Sequence, residues 1–135
     1  MKKFVSLLLA MLMVLSLVAC GGDGGQSNTN SGDKVIKIGV FEPLSGDSAS
    51  GGKKEVLGMQ YANSETPTVE LNGETYKVEL VLSDNGSSTD KAPSAASDLV
   101  SKGVSLVLGT YGSGAAMAGG PKFGEAGIAA IGVTC

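Results

Sequence analysis

A serine between two glycines follows an apolar run late in the chain, in the stretch VSLVLGTYGSGAAMAGGP that spans residues 104–121. We expect Ser113 to be the N-cap of the next helix. The backbone amides of residues 114–116 would then lack intrahelical partners, and with the helix dipole they favour an anion such as a carboxylate. The flanking glycines, Gly112 and Gly114, let the backbone approach such a ligand closely. The alternative is that Ser113 only caps the helix and the glycines only permit a tight turn.

A second glycine-rich loop, FEPLSGDSASGG, follows the predicted strand KVIKIGVF. The run VSLVLG before Ser113 is almost continuously apolar, as expected of an interior parallel strand. Open α/β sheets bind ligands at the carboxyl ends of their strands. The two loops therefore predict a crevice at one edge of the sheet, and this crevice favours a binding role for Ser113.

Three more side chains lie in or beside these loops. Tyr111 either covers one side of a bound ligand or simply packs against its neighbours. Asp84 could line the crevice, but an exposed Asx turn with the following Asn-Gly pair is the favoured interpretation. We expect the carboxylate of Glu42 to be solvated.

The glycine-rich loops fit no nucleotide-binding or nucleophile motif. Met117 stands where a dinucleotide fingerprint needs a glycine, and Gly52 stands where a phosphate loop needs a lysine. Tyr111 occupies the first glycine position of a nucleophile elbow. These departures disfavour a Rossmann-like enzyme, which remains an alternative.

The amino-acid composition excludes further kinds of catalytic and binding site. The chain has no histidine, and all of its 10 basic residues are lysines. A Ser-His-Asp triad and a histidine zinc site are therefore impossible, and so is bidentate guanidinium binding of phosphate. The net charge of −3 argues against nucleic acid as a partner. We expect no catalytic residues, no metal and no cofactor.

The body of the chain from residue 34 alternates short strands, Gly/Ser loops and helices, which is typical of a parallel sheet flanked by helices. The strands are KVIKIGVF, YKVELVLS, VSLVLG and IAAIGV. Since the second alternates polar and apolar residues like an edge strand, the predicted order is 2-1-3-4. Helices are expected over STDKAPSAASDLVSKG, over about residues 52–63, and from Ser113 to a kink or interruption at Pro121. The expected buried face of the helix over residues 52–63 is Val56, Leu57, Tyr61 and Ala62.

The first twenty residues, MKKFVSLLLAMLMVLSLVAC, follow the plan of a secretory signal. The apolar part is somewhat short for a permanent membrane span, and Leu-Val-Ala-Cys resembles a bacterial lipobox. We therefore predict a signal peptide over residues 1–19, a lipid on Cys20 with a flexible linker over residues 20–33, and a ligand-binding domain over residues 34–135. The alternative is a plain signal peptide with a chance cysteine. The lipid would hold the protein on the outer face of the cell membrane, and Cys135 would lack a partner for an internal disulfide.

The body of the chain resembles the branched-chain amino acid substrate-binding lipoproteins of ABC transporters. The resemblance runs from about Val35 to the last residue and rests on PLSG, on the DN after the second strand, and on G-x-x-GSG-x-x-x-x-x-GP-x-F-x-EAGI. It implies a non-enzymatic protein with a type I periplasmic-binding fold. Two α/β lobes of this fold close on an amino acid that is delivered to the permease. The chain would be part of the N-terminal lobe, and we expect it to be a fragment.

The resemblance also implies site residues. Ser113, with nearby amides, would bind the α-carboxylate of the ligand, and Thr134 and its neighbours would contact the ligand near its α-ammonium and carboxylate groups. An aromatic residue of the family falls on Gly51, so the source of side-chain specificity differs here. The expected ligand-binding set is Ser113, Gly112, Gly114, Tyr111, Thr134 and Gly51. A sensing domain of a receptor with the same fold is the other alternative.

Overall fold

A mostly parallel sheet crosses the part of the chain that the computed structural model describes, residues 34–135. The predicted signal peptide, Cys20 and the linker lie outside these residues. The elements in chain order are β1 (Val35–Glu42), α1 (Ala49–Glu65), β2 (Thr68–Leu71), β3 (Glu74–Asp84), α2 (Ala92–Ser101), β4 (Leu106–Leu108), α3 (Ser113–Glu125) and β5 (Ala129–Ile131). None of these three helices has the length and apolar character needed to cross a membrane.

The strand order confirms the predicted parallel arrangement. The sheet runs β2-β3-β1-β4-β5, and β1 pairs in parallel with β3 on one side and with β4 on the other. The four predicted strands correspond to β1, β3, β4 and β5, so their predicted order 2-1-3-4 is the observed one. A parallel sheet places the carboxyl ends of β1, β3 and β4 on the same edge.

A short antiparallel strand, β2, was missed. It pairs with the start of β3, from Thr68 opposite Lys77 to Leu71 opposite Glu74. The turn between them is Asn72-Gly73, and both residues have positive φ (53° and 78°), as a two-residue hairpin turn requires. The expectation that β3 forms the sheet edge therefore fails at its beginning, where β2 covers it. The Asn-Gly pair was the signal that sequence reasoning could have used.

The hydrophobic core lies between the sheet and the helix pair α2 and α3. Its buried members are Phe41, Ala92, Ala95, Ala96, Leu99, Val104, Val107, Ala115 and Phe123. The rings of Phe41 and Phe123 meet edge to face, with centroids 5.4 Å apart. Gly119 permits this approach, because a Cβ at this position would lie 2.6 Å from Cζ of Phe41. The buried residues of α2 recur at helical spacing and are Ala92, Ala95, Ala96 and Leu99.

The predicted buried face of α1 is largely wrong. Val56 is buried, but Leu57 and Tyr61 are 63% and 68% exposed, and Ala62 is exposed as well. Glu55 and Asn63 take inward positions instead, so the apolar pattern of the helix does not mark the face that meets the sheet. An open, mainly apolar cavity of about 580 Å³ remains between α1 and the sheet.

Pro121 does not interrupt α3, which continues from Ser113 to Glu125. Proline has no backbone N–H, so the carbonyl oxygen four residues earlier loses its helical hydrogen bond. The rest of the helix tolerates this loss because Gly119 and Phe123 anchor it against the core.

Candidate functional site

The loops after β1 and β3 are joined at the carboxyl edge of the sheet by Asp84. Its Oδ1 accepts hydrogen bonds from the amides of Leu44 (2.7 Å), Ser45 (3.2 Å) and Gly86 (2.8 Å), and its Oδ2 accepts one from Oγ of Ser45 (2.6 Å). The bond to Gly86 is the predicted Asx turn. The bonds to the β1 loop were not predicted, and they fix the two loops against each other.

A buried polar pair joins the loops after β3 and β4. Nδ2 of Asn85 donates to Oγ1 of Thr110 over 2.7 Å, and both residues are completely buried. A hydrogen bond between two buried neutral groups avoids the cost of leaving either one unpaired. Sequence reasoning missed this pair, since no local pattern links residues 25 positions apart.

Gly109 lets the loop after β4 pass directly over the end of β1. Its φ is +118°, and a Cβ there would lie 2.4 Å from the carbonyl oxygen of Phe41 and 2.6 Å from Oε1 of Glu42. Only glycine fits both the backbone conformation and the space. The loop that carries Tyr111 and Ser113 is therefore seated on β1.

The N-cap of α3 lies one residue earlier than predicted. Gly112, with φ +109°, is the N-cap, and Ser113 is the first helical residue without a capping hydrogen bond from its side chain. The amide of Ala116 already donates to the carbonyl oxygen of Gly112 over 3.3 Å. The amides that precede the first intrahelical bond are therefore those of Ser113, Gly114 and Ala115. The serine hydroxyl is exposed and is not used as a cap.

Tyr111 occupies the space beside Gly51. A Cβ on Gly51 would lie 2.7 Å from Cε2 of the tyrosine ring, although Gly51 belongs to α1 and not to the preceding loop. Tyr111 itself is 42% exposed. One aromatic ring therefore fills the place where the resemblance implied an aromatic residue, and it comes from the loop after β4.

This packing predicts opposite effects for two alanine substitutions in α1. Gly58→Ala should stabilise the domain by about 0.5–1 kcal/mol, because alanine favours the helix and its Cβ would meet no described atom within 4 Å. Gly51→Ala should lack this gain, because its Cβ would displace the Tyr111 ring. Urea unfolding followed by circular dichroism measures both effects.

The matched control is the same Gly51→Ala change in a Tyr111→Ala background. With the ring removed, the alanine should become as stabilising as at Gly58. An equal gain from Gly51→Ala and Gly58→Ala in the unmodified chain would show that the ring does not fill this space.

Glu42 is completely buried, so the expectation of a solvated carboxylate is wrong. Its Oε2 accepts a hydrogen bond from the amide of Tyr111 over 2.8 Å, and its other oxygen has no donor among residues 34–135. Burial raises the pKa of Glu42 to about 8, the Tyr111 amide opposes the rise, and the hydrogen-bonded carboxyl of Glu55 adds to it. Glu42 therefore favours its neutral, protonated form more strongly than an ordinary glutamate does.

Thr134 reaches the same cluster from the end of the chain. Its hydroxyl donates to Oε1 of Glu55, while Oε2 of Glu55 is buried without a donor among the described residues. A continuous polar connection therefore runs from Thr134 through Glu55 and Glu42 to the amide of Tyr111. The two glutamates were not among the expected site residues, because no local pattern in the sequence marks either side chain as buried.

The six expected ligand-binding residues lie near one edge of the sheet. Gly112, Ser113 and Gly114 start α3, Tyr111 precedes them and packs on Gly51, and Thr134 is connected through the glutamates. Within residues 34–135, no three histidine, cysteine, aspartate or glutamate side chains are grouped so that they could hold a metal ion.

Such an edge, where loops from several parallel strands converge beside a helix start, is the place where open α/β sheets bind ligands. The chain belongs to the periplasmic binding protein family, whose model matches residues 35–135. Membership in this family implies an extracytoplasmic location. No curated protein matches the chain.

Three solved structures illustrate the relationship. The leucine-binding protein LivK of Thermotoga maritima is 31% identical, with a TM-score of 0.66 over 73% of this chain and 27% of its own. LivJ of Streptococcus pneumoniae, solved with isoleucine, is 32% identical, with a TM-score of 0.66 over 75% of this chain and 29% of its own. A solute-binding protein of Rhodopseudomonas palustris, solved with benzoate, is 30% identical, with a TM-score of 0.62 over 73% and 27%. The chain thus spans little more than a quarter of these proteins, all of them binding proteins by name.

Proposed function

We propose that the chain supplies one wall of the ligand site of an extracytoplasmic solute-binding protein that serves an ABC transporter. The ligand is an amino acid of the branched-chain type, and the protein delivers it to the permease. The start of α3 holds the carboxylate of the ligand, and the Tyr111 ring borders its side chain. The leucine-binding LivK and the isoleucine complex of LivJ support this ligand class.

One observation carries the proposal: Ser113 presents a hydroxyl that is exposed and not used as a cap, next to the first amides of α3. The alternative that Ser113 only caps the helix loses its basis, because Gly112 occupies the cap position. Amides at a helix start and a hydroxyl together suit a carboxylate. Benzoate, named for another relative, shares this group with amino acids.

The test is a titration of the ¹⁵N-labelled full chain, kept in detergent micelles, with L-leucine. We expect weak, millimolar binding because the chain is only one wall of the site, and we expect the amide signals of residues 112–115 to shift. Leucinol, which has the side chain and the amine but no carboxylate, should leave these signals unchanged. Micromolar affinity would contradict the view that a second lobe is needed.

Ser113→Ala should weaken leucine binding by about 1.5–3 kcal/mol, the range for a hydrogen bond to a charged group. Ser105→Ala is the matched control, since this exposed serine lies at the opposite end of β4. Equal losses in both variants, or equal shifts with leucine and leucinol, would refute the carboxylate site. Shifts with benzoate but not with leucine would support a carboxylate-binding site and contradict an amino acid as its ligand.

The membrane attachment belongs to the same proposal. A diacylglyceryl group on Cys20 would hold the binding domain near its permease on the outer face of the membrane, with residues 21–33 as a tether. Mass spectrometry of the chain expressed in a bacterium should show the lipid mass on the peptide that begins at Cys20. An unmodified, secreted chain would contradict the anchor without touching the ligand site.

A further inference from the structure

The carboxyl groups of Glu42 and Glu55 meet between β1 and α1, and one oxygen of each is buried. Glu42 is completely buried, and the two side chains are within hydrogen-bonding contact. Oε1 of Glu42 and Oε2 of Glu55 have no donor among the described residues. Two ionised carboxylates can only accept hydrogen bonds, so this contact requires a proton on one of them.

Within residues 34–135, neither glutamate forms an ion pair. The chain has no arginine, and the three ion pairs among residues 34–135 involve Lys34, Lys102 and Lys122, none of which reaches either glutamate. Lys53 and Lys54 of α1 are exposed. A shared proton keeps the net charge of the pair at −1 instead of −2.

The groups that face the pair come from each neighbouring element. Asp84 lies opposite Glu42 on the neighbouring strand β3. Both of its carboxylate oxygens accept hydrogen bonds, from the loop after β1 and from the amide of Gly86. The loop after β4 presents the Tyr111 amide, while the Tyr111 residue is partly exposed. The segment after β5 presents the Thr134 hydroxyl, and the thiol of Cys135 is exposed.

We propose that Glu42 and Glu55 hold one proton between them and that this acid–carboxylate pair positions the two segments bearing Tyr111 and Thr134. The neutral carboxyl donates its O–H to the other carboxylate. The remaining oxygens accept from the Tyr111 amide and from the Thr134 hydroxyl. When the proton leaves to solvent, two buried charges face each other, and the segments on both sides separate. The glutamates are positioning residues for the proposed ligand site.

The first experiment follows the proton in the ligand-free full chain labelled with ¹³C at the glutamate carboxyl carbons. One glutamate signal should titrate near pH 8, far from the others, and it should vanish in Glu42→Gln. The amide signals of Tyr111 and Thr134 should move with the same midpoint. A chain in which every glutamate titrates below pH 6 overturns the proposal.

Substitutions separate positioning from simple packing. In Glu42→Gln the amide imitates the protonated acid, because it can donate to Glu55 and accept from Tyr111, so the Tyr111 and Thr134 signals should become independent of pH. Glu79→Gln, on the exposed side of β3, is the matched control and should retain the wild-type titration. If Glu42→Gln does not fold, Glu55→Gln should lower the Glu42 midpoint by removing the neighbouring charge, and an unchanged midpoint there overturns the pair.

The inference deepens the proposed function, but the two can fail separately. The titration needs no ligand, so absence of leucine binding would not affect it. Conversely, a crevice that binds leucine while Glu42 titrates normally would refute the shared proton and leave the ligand site standing.

Discussion

Between pH 4.5 and pH 8 the free energy of unfolding of the domain is expected to fall by several kcal/mol, because Glu42 releases its proton at a higher pH in the folded domain than in the unfolded chain. Its pKa is about 8 in the folded domain and near its ordinary value of 4.5 in the unfolded chain. Within this window the folded state holds a proton that the unfolded state has lost, so each unit of pH favours unfolding. Below the window the stabilisation is fully present, and above pH 8 it is gone.

Other carboxylates act in the opposite direction in acid. Burial disfavours ionisation of Asp84, but its bonds to the Ser45 hydroxyl and to three amides lower its pKa overall. The hydrogen bond from Lys102 holds the pKa of Asp98 below its ordinary value. Both groups stabilise the domain above their unfolded pKa and lose this contribution as the pH falls through the folded one. We therefore expect maximal stability in mildly acidic solution.

The measurement is a series of urea unfolding curves by circular dichroism between pH 4 and pH 9 in wild type, Glu42→Gln and Glu79→Gln. The alkaline loss should disappear in Glu42→Gln, since glutamine stays neutral, and it should persist in Glu79→Gln. A wild-type profile that is flat from pH 5 to pH 8 would contradict a protonated Glu42. An unchanged slope of the unfolding free energy against pH in Glu42→Gln would contradict it as well.

The second large effect is expected from Phe41→Ala, which should destabilise the domain by about 3–5 kcal/mol. Phe41 is only 2% exposed and meets Phe123 across the interface of the sheet with α3. Its removal would leave a cavity whose walls cannot collapse fully, because β1 is paired on both sides. A small domain has a total stability of only about 5–15 kcal/mol, so much of it would be lost.

Chemical unfolding at one fixed pH measures this loss, with Leu57→Ala as the control. Leu57 is also a large apolar residue but is 63% exposed on α1, so its truncation should change stability by less than about 0.5 kcal/mol. Comparable losses in the two variants would mean that α1 packs with Leu57 inward. That result would restore the buried face predicted from the sequence.

Much of the fold could be predicted because its signals are local. The apolar runs of β1 and β4, and the spacing of Ala92, Ala96 and Leu99, record burial directly in the chain. The phase of α1 could not be read in this way. Its sheet-facing side carries Glu55 and Asn63 together with Val56, and a polar residue that is satisfied only by tertiary partners carries no local mark of burial.

The candidate site also combines features that the sequence predicts with features that only the tertiary structure decides. The position of Ser113 after an interior strand placed it at the carboxyl edge, but the left-handed backbone of Gly112 decided which residue caps α3 and which hydroxyl stays exposed. Likewise, Gly51 in the sequence indicated only a missing aromatic ring. The ring of Tyr111 beside it depends on how the loop after β4 crosses β1.

By itself the sequence determined the parallel α/β architecture, the edge at which a ligand site forms and the absence of histidine and arginine chemistry, because periodicity and composition are properties of the chain alone. Only the tertiary structure decided that Glu42 is buried against Glu55 and that Asn85 meets Thr110, since each pair joins residues distant along the chain. The free energy of a buried polar group depends on what surrounds it in space.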